Sequence, residues 1–271
     1  MTLIWEHKLF SFYTALVSLI VLVALFAPYL TPQDPLASNM QLALQPSSAE
    51  HWLGTDKLGR DIFSRIICGT QTSLFMTLCL VVLVALTGSL VGTLAGYFGG
   101  RVEMVFMRLA DMMLSFPGIV LAIAIAGILG GSIINTIMAL LVVSWAKYAR
   151  LVRSLVLKLR QQDFVLAARL SGTRTPMILW RHILPNTLPL VVITAAMDIG
   201  TMMMEIAGLS FLGFGAQPPI PEWGLMLNEG RQYIQSAPWL MVYPGLAIFL
   251  VVAVFNLWGD SLRDVLDPRQ N

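Results

Sequence analysis

The chain has 271 residues, 57% of them hydrophobic and 12% charged, and its 17 Lys and Arg against 15 Asp and Glu leave a formal net charge of +2. With a mean hydropathy of +0.76, this composition excludes a soluble domain, whose surface needs about twice that share of charge. Lipid is the expected solvent, and no nucleic-acid partner is expected.

A helix needs about 20 apolar residues to cross the hydrocarbon of a membrane, so stretches free of charge mark the spans. The first lies over 9–30. Its apolar run exceeds the roughly 7–15 residues of a secretory leader and no clear A-x-A cleavage signal follows, so a retained helix is expected. An outer segment, 31–72, opens with TPQDP and continues through EHWLGTDKLGRDIFSRI, where turn formers give way to a short amphipathic helix.

The second span is placed over 73–97. The third, over 106–128, has Arg108 and Asp111 at its mouth, spaced i,i+3 to pair on one face. GILGGS then supplies a tight turn into a fourth span over 132–149. The inner segment, 150–187, is basic. A fifth span over 188–212 is apolar apart from Asp198 and Glu205, and a sixth covers 239–259. The expected fold is therefore all-α, a single polytopic membrane domain of six helices.

Positive side chains near span ends stay on the cytoplasmic side. Lys8, Arg101, Arg108, the cations from Lys147 to Arg181, Arg263 and Arg269 fall on one side, and only Lys57, Arg60, Arg65 and Arg231 on the other. Both termini are thus expected in the cytoplasm. Cys68 falls just before the second span and Cys79 within it, and both read as small buried hydrophobes.

Within the inner segment, apolar residues at 151, 152, 155, 156 and 159 share one helical face, with Arg153, Lys158 and Arg160 outside it. Helix continues over Phe164–Leu170, SGT breaks it, PMILWRHIL restarts it with Pro176 in an early turn, and Pro185 ends it. The chain contains no G-x-x-x-x-G-K-[ST] phosphate loop. If ATP powers transport here, the ATPase is a separate chain, and 165–189 is where it would couple.

At this segment the chain resembles the importer permeases of the ABC class, which carry E-A-A-x-x-x-G, nine further residues, then I-x-L-P. The corresponding residues are Leu166, Ala167, Ala168, Gly172, His182, Leu184 and Pro185, beside Arg181. Leu166 replaces the leading glutamate and His182 the isoleucine, with the spacing intact. HWLGTDKLGRDIFSRI, RLADMMLSFPGIVLAI, GLSFLGFGAQPPIPEWGLML and NLWGDSLRDVLDPR extend the resemblance over nearly the whole chain. They point to the branch importing peptides, opines and nickel, and to its shorter, C-type permease.

The resemblance implies a second, different permease subunit, two ATP-binding subunits that hold ATP and magnesium, and a periplasmic or lipid-anchored binding protein. It implies no cofactor on this chain and no covalent chemistry. The short N-terminus with DIGTMMMEIAGLSFLGFG and EGRQYIQSAPW is closest to the nickel permeases, the alternative being a dipeptide or oligopeptide permease. A different class, an intramembrane enzyme or autonomous channel, would need activity from this chain alone.

Three groups of candidate residues follow. Leu166, Ala167, Ala168, Gly172, Arg181, His182, Leu184 and Pro185 form the ATPase-coupling set, whose small residues let another backbone approach closely. Asp198, Met202 and Glu205, at i, i+4 and i+7, share one face of the fifth span and are candidates for the translocation path; pairing of Asp198 with a neighbouring helix is the alternative. Asp56, Lys57, Arg60 and Asp61 are candidates for an outer gate or a binding-protein contact, with a solvated turn as the alternative. His7, His51 and His182 lie in separate regions, no H-E-x-x-H occurs, and no metal site is assigned.

Overall fold

A computed structural model describes residues 8–266, so His7 and Arg269 fall outside the described residues. Ten α-helices carry the fold over these residues: α1 Lys8–Leu30, α2 Ile62–Phe98, α3 Gly100–Leu114, α4 Gly118–Leu129, α5 Ile133–Leu159, α6 Asp163–Leu170, α7 Thr175–Ile178, α8 Leu184–Phe211, α9 Trp223–Gly230 and α10 Trp239–Leu266. Among the described residues the only β pairing is an isolated bridge between Thr55 and Asp61.

α1, α2, α10 and the continuous run Thr175–Phe211 are each long and apolar enough to cross a membrane, and α3 with α4 makes a fifth candidate as a bent pair. α5, with 27 residues, is about 40 Å long at 1.5 Å per residue. Its charges, Lys147, Arg150, Arg153 and Lys158, sit in its second half. With α5 counted, the elements are roughly consistent with the six expected spans. Large apolar side chains on the outer faces, such as Phe75, Leu86 and Phe249, are exposed, which suits a lipid surround rather than water.

Four expectations are corrected. The short amphipathic helix and the second span are one 37-residue helix, α2, because nothing between Ile62 and Phe98 breaks it. The third span is not straight: α3 and α4 meet at 94°, since Pro117 disfavours helix at Phe116 and has no N–H to donate. Asp111 does not pair with Arg108 but with Arg150 on α5. Pro185 does not end a helix either. Thr175–Phe211 runs through it by way of a π turn at Leu179–Ile183, whose widened backbone accommodates the proline ring.

The centre of the bundle is the seam between α2 and α5, which run parallel. Gly88, Gly92 and Gly96 recur every fourth residue along α2 and lie on α5 at Tyr148, Ala149 and Val156. A Cβ added at Gly88 would stand 2.4 Å from Tyr148 Cβ and 2.7 Å from Trp145 O, and one at Gly92 2.5 Å from Ala149 O. Only glycine permits that approach. α8 and α10 pack beside this pair, with Ile199, Ile206 and Phe255 in the shared core. α1 lies outside, tied to α10 by Trp258 Nε1 donating to Thr14 Oγ1 at 3.1 Å.

Candidate functional site

At the end of the bundle where α5 stops, α6 projects beyond the spans. Gly172 closes it in a left-handed conformation, φ +78°. Gly172 N donates to Arg169 O and Thr173 N to Ala168 O, both at 3.0 Å, the paired bonds of a Schellman turn. A Cβ at Gly172 would meet nothing within 4 Å, so the backbone angle and not the space calls for glycine.

One side of this segment is packed. Val165, Ile178 and Ile183 are buried, and the Arg169 guanidinium lies 4.9 Å from the Tyr97 ring centre. The opposite side is bare: Leu166, Ala167 and Gly172 are exposed, and Leu170 is 91% exposed. Ala168 turns partly inward. Arg181 and Pro185 are exposed at the π turn and the start of α8, whereas His182 and Leu184 are half-buried; the His182 ring lies 6.1 Å from that of Phe164.

At the other end, Asp56 builds its own turn. Its Oδ1 accepts the N–H groups of Leu58 at 2.8 Å and Arg60 at 3.0 Å, and its Oδ2 accepts Arg60 Nε–H at 2.6 Å. Arg60 continues to Glu229 on α9 at 3.1 Å, where Arg65 and Lys57 arrive at 3.3 Å. Asp61 caps α2 by accepting Ser64 N–H at 2.8 Å and pairs with His51 Nδ1 at 2.9 Å. Asp56, Arg60 and Asp61 are buried, and only Lys57 of the four is half-exposed.

This cluster therefore joins the loop to α9 within one chain. Nearby, Glu222 caps α9, accepting Gly224 N–H at 2.9 Å, Leu225 N–H at 2.7 Å and the Ser73 hydroxyl at 3.3 Å. Burial pushes its carboxyl above the usual carboxylate range, partly offset by those bonds.

Between the two ends, Asp198, Met202 and Glu205 of α8 line one cavity of about 180 Å³ with Lys147, Tyr148 and Thr201. Lys147 Nζ donates to Asp198 at 2.7 and 2.9 Å. The i, i+4, i+7 spacing thus brings the three path candidates together, and the pairing with a neighbouring helix also forms.

Sequence reasoning missed Lys147, Tyr148, Arg65, Glu229 and Glu222 as site residues. Arg65 and Glu229 are 164 positions apart, and no local period links them. Charge balance gave no signal either, since 31–72 already holds Asp34, Glu50, Asp56 and Asp61 beside Lys57, Arg60 and Arg65.

Comparison with known proteins supplies the family. The family described as binding-protein-dependent transport system inner membrane component matches residues 88–271. The chain is 45% identical to the dipeptide transport system permease protein of Alkalihalophilus pseudofirmus, over 97% of this chain and 87% of that protein. It is 46% identical to the nickel transport system permease protein of Escherichia coli K12, over 94% and 92%. A chain of the MetNI methionine ABC transporter shares its fold at a TM-score of 0.55 and 20% identity, over 72% of this chain and 94% of that one. Matched by permeases over at least 94% of its length and carrying a permease's helical fold, the chain belongs to the family of binding-protein-dependent transport system inner membrane components.

Proposed function

We propose that the chain forms one half of the translocation pore of an ATP-driven importer, with both termini in the cytoplasm. A second, different permease subunit completes the pore, a binding protein delivers solute, and two ATP-binding subunits hold ATP and magnesium. The observation that carries this reading is the similarity to transport permeases over at least 94% of the chain. The bare face of α6 supports it: Leu166, Ala167 and Leu170 offer a small apolar surface beyond the spans, suited to a cleft of an ATPase. Motion entering there would open and close the pore to either side in turn.

The relatives are named for dipeptide and for nickel at nearly equal identity, so similarity favours neither solute. The test is uptake by proteoliposomes holding the complete complex, ATP and the binding protein. Labelled nickel and labelled dipeptide are offered separately and then in competition. ATP-dependent uptake of either establishes the importer. Uptake without ATP, or by this chain alone, would point to a channel.

A further inference from the structure

We infer that the cavity between α5 and α8 is a subsite for a primary ammonium group, with Glu205 as its counter-charge, so that the solute passing it is an unblocked short peptide rather than a bare divalent cation. This rests on the permease reading above. Two carboxylates and one ammonium line the cavity, but they are not equivalent. Asp198 is 8% exposed and held by Lys147 through both of its oxygens. Glu205, half-buried one helical stretch further along the same face, makes no hydrogen bond or ion pair among the described residues. The set is left with one uncompensated negative charge in a partly desolvated place, where a single positive charge is favoured.

The same cavity holds a further polar group. Tyr148 lines it and is fully buried, with its hydroxyl turned toward the Asp198 carboxylate and no close donor to its oxygen among the described residues. A buried hydroxyl is normally satisfied. Here its oxygen can accept from a donor entering the cavity, such as a peptide's terminal ammonium. Met202 and Leu140 give the wall an apolar part for the adjoining side chain, and about 180 Å³ holds the end of a small solute. A divalent metal ion meets different conditions. The Lys147 ammonium repels a double charge twice as strongly as a single one, and with Asp198 already engaged one carboxylate is left for two positive charges.

The test uses the complete complex in proteoliposomes, with alanyl-alanine and N-acetyl-alanyl-alanine as probes at equal occupancy of the binding protein. Wild type is expected to take up the unblocked peptide at least tenfold faster than the acetylated one. Glu205→Gln is expected to lower uptake of the unblocked peptide at least tenfold and leave the acetylated one unchanged, erasing the preference. Glu205→Asp is expected to restore part of it. Equal uptake of both probes by wild type, or an undiminished preference in Glu205→Gln, would overturn the subsite. So would uptake of nickel but not peptide by wild type, which leaves the importer reading intact. Absence of any ATP-dependent uptake by wild type would instead remove the importer reading itself. If Glu205→Gln fails to assemble, the wild-type comparison decides.

Discussion

Arg60 reaches Glu229 at 3.1 Å across 169 positions of sequence, and with Lys57 on the same carboxylate it fastens the loop before α2 to the helix that precedes the last span. Both guanidinium groups at Glu229, those of Arg60 and Arg65, are 1% exposed. Removing the shared carboxylate leaves both buried cations with Asp56 as their remaining acid, and breaking a buried pair in this way typically costs up to about 3–5 kcal/mol. Glu229→Ala should therefore lower the thermal midpoint of the assembled complex sharply, and Glu229→Asp much less. A midpoint unchanged in Glu229→Ala would mean that the cluster contributes nothing to stability.

The α2–α5 seam makes a sharper steric prediction. Gly92→Leu forces a side chain onto Ala149 O and Val152 Cβ, and overpacking of this kind costs about 1–3 kcal/mol or more. Reduced yield of monodisperse complex and a lower melting temperature are expected. The same change at Gly245, where an added Cβ meets nothing within 4 Å, should leave both within error. Equal behaviour of the two variants would contradict the seam.

Coupling can be separated from folding at α6. Leu170 is 91% exposed, so Leu170→Ser should alter stability by no more than about 0.5 kcal/mol. If its face seats an ATPase, ATP hydrolysis should continue while transport per ATP falls severalfold. Gly172→Leu adds a left-handed strain to the same loss. Coupling that is full in both variants would remove 163–185 as the docking element.

Glu222 sets a pH dependence with a definite sign. Burial raises its folded pKa above the ordinary 4.5, so the native state keeps a proton that the unfolded chain has already released. Its contribution to stability is then largest below about pH 4.5 and falls as pH rises through the folded value. Melting temperature measured against pH should show this decline in the wild type and a flatter profile in Glu222→Gln. A wild-type profile rising over that window would reverse the assignment.

The apolar runs at 9–30 and 239–259 were legible because a lipid-spanning helix needs little beyond length and absence of charge. So was the face shared by Asp198, Met202 and Glu205, since helical spacing alone aligns them. Pro117 was visible in SFPG, yet an uninterrupted apolar run outweighed it, and the 94° bend went unread. The recurrence of Gly88, Gly92 and Gly96 was equally visible, but which helix it faces depends on tertiary packing. Lys147 with Asp198, and Arg65 with Glu229, lie beyond any local pattern, since their meeting is a property of how helices are arranged.

The glycine seam also bears on mechanics. Where backbones touch with no side chains between them, a helix pair has little to compress, and close-packed interiors pass displacement on. α6 follows the end of α5 after a short turn at Gln161 and Gln162, and Lys147 lies about 20 Å back along α5 from Arg160 at 1.5 Å per residue. Gly88 stands directly behind Tyr148, so one wall of the cavity is backed by this close-packed seam. A push delivered at α6 would pass through that short turn and then along α5, one continuous helix over Ile133–Leu159, before it reached the wall.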